Sequence, residues 1–469
     1  MFKSKSVFIL FVLLAITANF AKAQECTITT DKEGVTTDDC PSLYTCVENQ
    51  CHHKNIFPLT FREILGAILI MILSGFANSG GIGGGSILSP ILLTIFGYSA
   101  NKAIMLVYVL IFGGSLGNFL NVAFQRDIQT GKPIILYDFA LIITPIMLLG
   151  SNLGVLLNRM IAPAITICGL LYLVSTTLTK IWARAKTSYA KETQALSSPL
   201  IPEKVHVEAK KPEEVIELRG MNGEEYQQDA ETTKLKTILE EEQQFLPKSK
   251  IVFLGYVVAF VLVALVLRGS DKFTSIIGIE YCSFGYWLIF LCILGGCYYF
   301  HVKGTDIVRE KAAIKERYSY KGSDFTMNQE NISKIRSLGA LAGVLGALLG
   351  IGGGMILGNP MLGMGIGAQS MTATCGLFVV LTAFVNLVQA FLYGGITGQE
   401  VIFFFLISSI GSYLVSSGIT MVIKKYKRPS LLLFVLSGIM TVTLVVLPVF
   451  TISKTISNPG QMLKFHGPC

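Results

Sequence analysis

The chain has 469 residues, of which 52% are hydrophobic and 14% are charged, and its formal net charge is +8. Soluble globular proteins carry about 25% charged residues, so this composition excludes an ordinary soluble domain and predicts that most of the length lies in lipid. The positive charge does not indicate nucleic-acid binding, because the basic residues form short clusters between apolar runs, as in the cytosolic loops of membrane proteins.

The N-terminus has the pattern of a secretory signal peptide. Lys3 and Lys5 precede the apolar stretch VFILFVLLAITANF, and the small residues AKA end at Ala23. This pattern predicts a cleaved signal peptide over 1–23, with an uncleaved signal anchor as the alternative. Either way the chain enters the secretory membrane system, and we expect an integral multi-pass protein of the secretory pathway or plasma membrane.

The polar segment that follows, 24–60, contains Cys26, Cys40, Cys46 and Cys51. Four cysteines in a short lumenal segment predict two disulfides with three possible connectivities. A zinc site is the alternative, since two histidines follow the last cysteine, but the paired C-x2-C spacing of zinc modules is absent and no metal is predicted. The other six cysteines are scattered, mostly in apolar runs, and are interpreted as small buried hydrophobic residues.

Apolar runs of transmembrane length fill most of the remaining chain, separated by two charged stretches. The predicted organisation is a signal peptide (1–23), a lumenal or extracellular Cys-rich segment (24–60), a first transmembrane repeat (61–181), a cytosolic mobile loop (182–249), two linking transmembrane helices (250–301), a cytosolic basic loop (302–335), a second transmembrane repeat (336–450) and a lumenal or extracellular tail (451–469). Within the first loop a short helix is expected around 230–246. Two runs, 86–97 and 355–366, are too short to cross a bilayer as straight helices.

Each short run follows a glycine-rich stretch inside apolar sequence, GGIGGGSILSPILL from Gly80 and LGIGGGMILGNPML from Leu349. Glycine is a poor residue for a helix interior, so each stretch predicts a broken helix. If each broken pair forms two passes, or a hairpin that returns to its starting side, the basic clusters QRDIQTGK, WARAK, 303–336 and KKYKR all lie in the cytosol, as the positive-inside rule favours. One continuous crossing instead leaves three of these clusters outside. The favoured hairpin arrangement makes the two repeats inverted relative to each other, and it places Asn331, in the sequon NIS, in the cytosol.

Inverted repeats with matching interrupted helices point to the central site of a transporter. At a helix break the free N–H groups of the following half-helix carry a partial positive charge, and glycine allows a ligand to approach them. The predicted anion-binding backbones are those of Gly83, Gly84, Gly85, Gly352, Gly353 and Gly354. Close packing of helices is the alternative role of these glycines. A phosphate-binding loop and a dinucleotide fold are excluded, because the sequence lacks G-K-[ST] and alternating strands.

Hydroxyl side chains in the run QSMTATCG are predicted to line the same site. Ser370, Thr372 and Thr374 can donate hydrogen bonds to an anion without adding charge to the bilayer, and bonding to the carbonyls of their own helix is the alternative. Five further amides inside apolar runs are interpreted as bonding between helices: Asn118, Asn121, Asn152, Asn386 and Gln389. Because no charged residue lies in the middle of an apolar run, neither a nucleophile–base pair nor a proton relay is predicted, and enzyme activity has no support.

The stretches GIGGGSILSPIL, GIGGGMILGNPML and SMTATC resemble the sulfite exporter TauE/SafE family, and YDFALIITPIMLLGSNLGVLLN from Tyr137 looks like the corresponding stretch of its eukaryotic members. The resemblance covers roughly 60–180 and 336–450. It implies a multi-pass carrier, built from two related halves, that moves sulfur-containing anions such as sulfite or organosulfonates. It implies no enzyme activity and no bound cofactor.

The chain departs from the family pattern in two places. Gly354 and Pro360 are one residue further apart than Gly85 and Pro90. The family's first half usually has a polar S-A-T-A-like run after its glycines, whereas this chain has KAIMLVYVL, which starts at Lys102. The hydroxyl lining is therefore largely confined to the second half, and the identity of the anion does not follow from the resemblance.

The sequence therefore predicts an all-α membrane protein with two inverted helical repeats, each with a Gly-broken helix pair, two intervening helices and a short Cys-rich lumenal segment. The predicted function is transport of a small anion by alternating access. Its expected partners are the anionic substrate and the lipid bilayer. Two alternatives remain, an anion channel on the same fold and a membrane scaffold or receptor that uses the Cys-rich segment.

Overall fold

The computed structural model describes residues 28–30, 36–38, 44–47, 50–81, 83–98, 100–127, 131–197, 230–317, 329–394, 396–426, 428, 430–457, 465 and 467. The predicted signal peptide, Cys26, Cys40 and Cys469 lie outside this part of the chain.

Within the described residues the architecture is helical, with four short strands near the N-terminus. The strands are β1 (Ile28–Thr30), β2 (Thr36–Asp38), β3 (Tyr44–Val47) and β4 (Gln50–His53), and they pair as two antiparallel hairpins. The helices are α1 (Phe61–Ser79), α2 (Gly85–Thr94), α3 (Ala100–Val122), α4 (Tyr137–Met160), α5 (Pro163–Ser197), α6 (Ala230–Gln243), α7 (Lys248–Arg268), α8 (Phe284–Arg317), α9 (Gln329–Leu348), α10 (Gly354–Gly363), α11 (Ala368–Leu392), α12 (Gly398–Tyr426) and α13 (Ser430–Ser457).

Eight of the described helices are long and apolar enough to cross a membrane, namely α1, α3, α4, α5, α7, α8, α11 and α12. This result confirms the predicted multi-span helical class. The helices α2 and α10, each of 10 residues, are about 15 Å long and reach only half-way through a hydrocarbon core of about 30 Å.

Two of the long helices extend beyond the predicted ends of their apolar runs. Helix α5 continues to Ser197 and α8 continues to Arg317, whereas the apolar runs end near 181 and 301. The added turns are rich in Ala, Lys, Arg and Glu, which are strong helix formers in water. The helices therefore persist where the apolar pattern stops.

Small residues allow helices of the two halves to approach closely. Helix α4 packs along α9, where a Cβ on Gly150 or on Gly343 would collide with a backbone carbonyl of the other helix. Helix α12 packs on α1 in the same way at Gly411, where a Cβ would collide with the carbonyl of Met71. Close backbone contact of this kind is typical of helix packing in membranes. Each half therefore packs one of its helices against the broken helix of the other half.

Helix α6 lies where the sequence predicts a short helix between the two halves. Its apolar side chains Leu235, Ile238 and Leu239 are buried, and their spacing places them on one helical face. Burial of each such side chain contributes about 1.5–3 kcal/mol. The helix is therefore docked on the bundle by its apolar face.

The described cysteines outside the Cys-rich segment differ in burial and in bonding. Among the described residues, Cys297 and Cys375 are free and buried, as expected, whereas Cys168 and Cys292 are free and exposed. Cys282, in the α7–α8 connection, is disulfide-bonded, so its interpretation as a buried hydrophobic residue is wrong. It lies between two apolar runs rather than within one. The disulfides of the Cys-rich segment stay a prediction, for which the β3–β4 register places Cys46 opposite Cys51.

Candidate functional site

The two glycine-rich stretches form the turns that separate α1 from α2 and α9 from α10. The backbone has a positive φ at Gly81 (+73°), Gly83 (+86°) and Gly84 (+79°), and again at Gly350 (+65°) and Gly352 (+72°). These left-handed conformations are open to glycine and costly for other residues. The glycines are therefore required by the turns themselves, which we call the two glycine turns.

The outer ends of α1 and α2 lie close together, and so do the outer ends of α9 and α10. A guanidinium nitrogen of Arg62, at the start of α1, donates to the carbonyl of Thr94 at the end of α2. Lys334, in the first turns of α9, and Gly363, at the end of α10, line one cavity. We call the end with Arg62 the first end and the end with Lys334 the second end.

The two glycine turns contact each other reciprocally. A Cβ on Gly85 would collide with the carbonyl oxygen of Gly350, and a Cβ on Gly354 would collide with the carbonyl oxygen of Gly81. When the two motifs are aligned, Gly81 matches Gly350 and Gly85 matches Gly354. The two contacts are therefore the same contact made twice, as expected across a two-fold axis.

The contact between the two turns indicates a packing role for two of the six predicted glycines. Gly85 and Gly354 are buried at the junction of the two turns, where any side chain would strike the opposite backbone. Close packing, the alternative considered for these glycines, therefore accounts for both of them. Gly83, Gly84 and Gly352 take positive φ values in the turns, and Gly353 contacts the end of the Met147 side chain. Anion binding by these six backbones stays a prediction.

The three predicted hydroxyls lie in the first two turns of α11, at the second end. Thr372 donates to the carbonyl of Gln369 at 3.0 Å and Thr374 to the carbonyl of Ser370 at 2.7 Å. Thr374 also accepts from the backbone amide of Leu136 at 3.0 Å. Bonding within the helix, the alternative for these threonines, is therefore present. Ser370 instead donates to Asp127 at 3.3 Å.

A small polar cavity of about 30 Å³ lies between α1, α3, α11 and α12. Its lining includes Ser79, Asn118, Gln369, Thr372 and Ser416. The cavity is therefore a small polar pocket beside the first glycine turn.

The predicted bonding of the buried amides between helices is confirmed, and it has the same internal symmetry as the glycine turns. Between α4 and α11, Ser151 donates to Asn386 at 2.8 Å and Gln389 donates to Asn152 at 2.8 Å. Between α12 and α3, Ser416 donates to Asn118 at 2.6 Å and Ser417 donates to Asn121 at 3.2 Å. In each case two adjacent residues on one helix bond two residues that are three apart on the other.

The serines of these pairs were not predicted from the sequence. The signal that was available is the shared spacing N-x-x-N at Asn118 and N-x-x-Q at Asn386, because residues three apart lie on one face of a helix. A pair of adjacent polar residues on the partner helix, such as Ser151 and Asn152, is then the expected complement.

The second end contains a cavity of about 970 Å³. It lies between the α3–α4 connection, α6, α8, the α10–α11 connection and the start of α11, and Ser370 is part of its lining. Five lysines face it: Lys132, Lys250, Lys311, Lys315 and Lys334. The sequence predicts basic clusters on the cytosolic side. It does not predict that their lysines share a cavity, because these lysines come from four separate segments. We call this space the lysine cavity.

The first end has a more compact arrangement of charges. Lys102, at the start of α3, pairs with Glu400, at the start of α12, at 2.8 Å, and the carboxylate side chain is only 3% exposed. The ammonium also lies 5.1 Å from the ring centroid of Tyr98. Deeper aromatic contacts between Phe96 and Phe404 close this part of the bundle.

The chain matches a group of curated plant proteins over most of its length. It is 27% identical over 425 residues to an Arabidopsis thaliana protein named sulfite exporter TauE/SafE family protein 2, with 88% of each chain covered. It is 28% identical over 428 residues to family protein 5 of the same organism, with 88% of each chain covered. Family protein 3 is 25% identical over 404 residues, which cover 84% of this chain and 80% of that protein. No protein-family model matches the chain, and no solved structure matches it.

Proposed function

Because the chain belongs to the sulfite exporter TauE/SafE family, we propose that it carries a small oxyanion, of the sulfite or organosulfonate type, across a membrane by alternating access. The protein is an integral multi-pass membrane protein with eight candidate spans among its described residues. The observation that carries the proposal beyond the family name is the reciprocal contact of the two glycine turns inside the bundle.

We propose that the two halves are inverted repeats related by a two-fold axis between the glycine turns. Two observations support this symmetry: the turn contacts are reciprocal, and the serine–amide pairs match. Paired, interrupted helices of inverted repeats are the usual position of a transporter's central site. Rocking of one half against the other would then open the site to each end in turn.

The second end faces the cytosol in this proposal, because its basic clusters follow the positive-inside rule. The sequon at Asn331 lies in the first turn of α9, and we expect it to remain unmodified when the chain is made in eukaryotic cells. Glycosylation of this asparagine, detected as a mass shift removed by a glycosidase, would contradict the topology.

We assign the described conformation to the state open to the cytosol. The second end has a cavity of about 970 Å³ that reaches Ser370 at the start of α11. At the first end, the Lys102–Glu400 pair and the ring contacts of Phe96 and Phe404 fill the corresponding region. An anion would therefore enter or leave this conformation through the lysine cavity.

Uptake of radiolabelled sulfite into proteoliposomes tests the proposed function. We expect saturable uptake by the wild type that unlabelled sulfite inhibits and chloride does not. Thr372→Val keeps the side-chain volume and removes one hydroxyl, and we expect about tenfold lower uptake, because a hydrogen bond to a charged group contributes about 1.5–3 kcal/mol.

The matched control for this substitution is Thr187→Val, on an exposed turn of α5, which should transport like the wild type. Absence of saturable sulfite and sulfonate uptake by folded wild-type protein would reject the proposed function. Equal uptake by the two valine variants would remove Thr372 from the site.

A further inference from the structure

The lysine cavity is lined by charged side chains of both signs. Five lysines face four carboxylates across it. Two of these carboxylates belong to the bundle and the connection before α4: Asp127 and Asp138. The other two lie at the end of helix α6: Glu241 and Glu242. Without the two carboxylates from α6, the lining of the lysine cavity would have a clear excess of positive charge.

The carboxylates of α6 make ion pairs with three of the five lysines. Glu241 pairs with Lys311 at 2.6 Å. Glu242 pairs with Lys132 at 3.3 Å and also with Lys315. The lysines come from the α3–α4 connection and from α8. The end of α6 therefore forms charge pairs with both the α3–α4 connection and the linking helix α8.

One of the remaining lysines is paired within the bundle. Lys250 is 4% exposed and bonds Asp138 at 2.7 Å, and Lys311 lies 3.9 Å from the same carboxylate. A buried charge is costly unless it is paired, so this contact is required whether or not α6 is docked. The lysines whose partners can be exchanged are therefore the three that pair with the carboxylates of α6.

A second observation in the cavity points to a ligand. Tyr137 is 4% exposed and lines the lysine cavity, and its hydroxyl has no hydrogen-bond partner among the residues that the structure describes. Buried polar groups are nearly always paired in native proteins. A hydroxyl on a residue that lines a lysine-rich cavity is a suitable donor for the oxygen of an anion.

The end of α6 is held by contacts that can be exchanged without unfolding the bundle. Arg126 donates to the carbonyl of Gln243 at 3.3 Å and lies 4.6 Å from the ring centroid of Phe245. The ring of Phe245 in turn lies 6.1 Å from that of Phe124. These contacts join the end of α6 to the α3–α4 connection, at the surface of the second end.

We propose that the lysine cavity binds oxyanions with two or more charges, and that Glu241 and Glu242 occupy it as an intramolecular competitor, so that α6 restricts access from the second end. The anion replaces the two carboxylates on Lys132, Lys311 and Lys315 and accepts a hydrogen bond from Tyr137. This inference rests on the proposed anion-carrier function for its role in transport, but binding to the cavity is measured independently of transport.

Equilibrium binding of radiolabelled sulfate and sulfite to the purified full-length protein, at constant ionic strength, tests the proposal. Removing a competitor increases the fraction of protein that is competent to bind. We expect the double variant E241Q/E242Q to bind both anions about three- to tenfold more tightly than the wild type. The matched control is Glu240→Gln, on the exposed face of α6, which should bind like the wild type. Unchanged or weaker binding by E241Q/E242Q would overturn the proposal.

Substitutions of the lysines and of Tyr137 test the contribution of the cavity lining to anion binding. We expect K311Q/K315Q to lose at least about tenfold in affinity for sulfate, also when combined with E241Q/E242Q, because each ammonium contributes a charge-assisted bond. Lys234 and Lys236 are exposed on α6, and K234Q/K236Q is the control. Tyr137→Phe should weaken binding, whereas Tyr256→Phe, at an exposed tyrosine of α7, should not. Wild-type affinity in K311Q/K315Q would reject the site.

A measurement on the unmodified protein covers the case in which a variant fails to fold. Hydrogen exchange of the α6 amides, 230–243, should be faster in sulfate than in chloride at equal ionic strength, since the anion displaces the helix end. Equal or slower exchange would contradict displacement. A wild type that binds sulfate without transporting any sulfur anion would reject the proposed function and keep this inference. If wild type and E241Q/E242Q transport sulfite equally and bind both anions equally, this inference is rejected and the proposed function is kept.

Discussion

The two ends of the helical bundle differ in how their charged side chains are arranged. At the first end, Lys102 and Glu400 form one compact pair beside aromatic rings. At the second end, five lysines and four carboxylates surround a cavity of about 970 Å³. The glycine turns and serine–amide pairs between the ends are nearly equivalent. The charges of the second end come from α4, α6, α7, α8, α9 and the α3–α4 connection, whereas those of the first-end pair come from the starts of α3 and α12.

The largest effect of a substitution is expected where the two glycine turns contact each other. Gly85→Ala and Gly354→Ala would each place a methyl group against a carbonyl of the opposite turn. We expect each to destabilise the protein by about 3 kcal/mol, at the upper end of overpacking effects, and to abolish sulfite uptake. Thermal unfolding in detergent and uptake in proteoliposomes measure the two effects.

Gly418→Ala is the control for this pair, because a Cβ on Gly418 would meet open space. It should be neutral or slightly stabilising, since alanine is the better helix residue. If one junction variant is tolerated and the other is not, the two turns are not equivalent and the proposed symmetry is wrong.

The next largest effect is expected at the first end. Lys102→Met leaves Glu400 buried without its partner, and removal of one member of a buried ion pair costs about 3–5 kcal/mol. We expect a marked fall in thermal stability, largely recovered in the double variant K102M/E400Q. Lys180→Met, at an exposed position of α5, is the control. Additive losses in the double variant would show that the pair does not close this end.

The sequence predicts the bundle better than it predicts the cavity. Apolar run lengths predict a multi-span helical protein, which the eight candidate spans among the described residues confirm, because helix length is a local property. The amides at Asn118 and Asn386 are also predicted to bond between helices, because a polar group in an apolar run needs a partner. The inverted symmetry itself remains a proposal that these contacts support.

The lysine cavity depends on contacts between distant segments and is not predicted by any local pattern. Lys132 and Lys315 are far apart in sequence and meet on Glu242. Folding brings such groups together by topology, which composition and spacing do not specify.

A smaller effect is expected for the matched serine–amide pairs. Ser151→Ala removes one buried hydrogen bond, whereas Ser416→Ala removes two, because Ser416 also accepts from Asn121. We expect losses of about 1 kcal/mol and about 2 kcal/mol, which thermal unfolding of the variants measures. A loss several times larger than these values at one position would show that the two serines do not have matching roles.

The smallest expected effect is that of pH on the α6 competitor. Burial raises the pKa of Glu241, but hydrogen bonds from Lys311 and Ser249 and the charges of Lys311 and Lys250 outweigh it and hold the pKa below its ordinary value of 4.5. A lowered pKa means that the ion pairs are complete above the ordinary value and are lost as the pH falls through the lowered value. The tighter sulfate binding of E241Q/E242Q should therefore be constant between about pH 6 and pH 8. A gain that disappears within this range would show that another group controls access.

Counterflow tests alternating access between the two ends most directly. Proteoliposomes are loaded with unlabelled sulfite and diluted into a trace of labelled sulfite, and the label inside is followed with time. A carrier exchanges one anion for another, so the internal label should rise transiently above its equilibrium level and then fall. A monotonic rise to equilibrium in vesicles that conduct sulfite would identify a channel and contradict the central proposal.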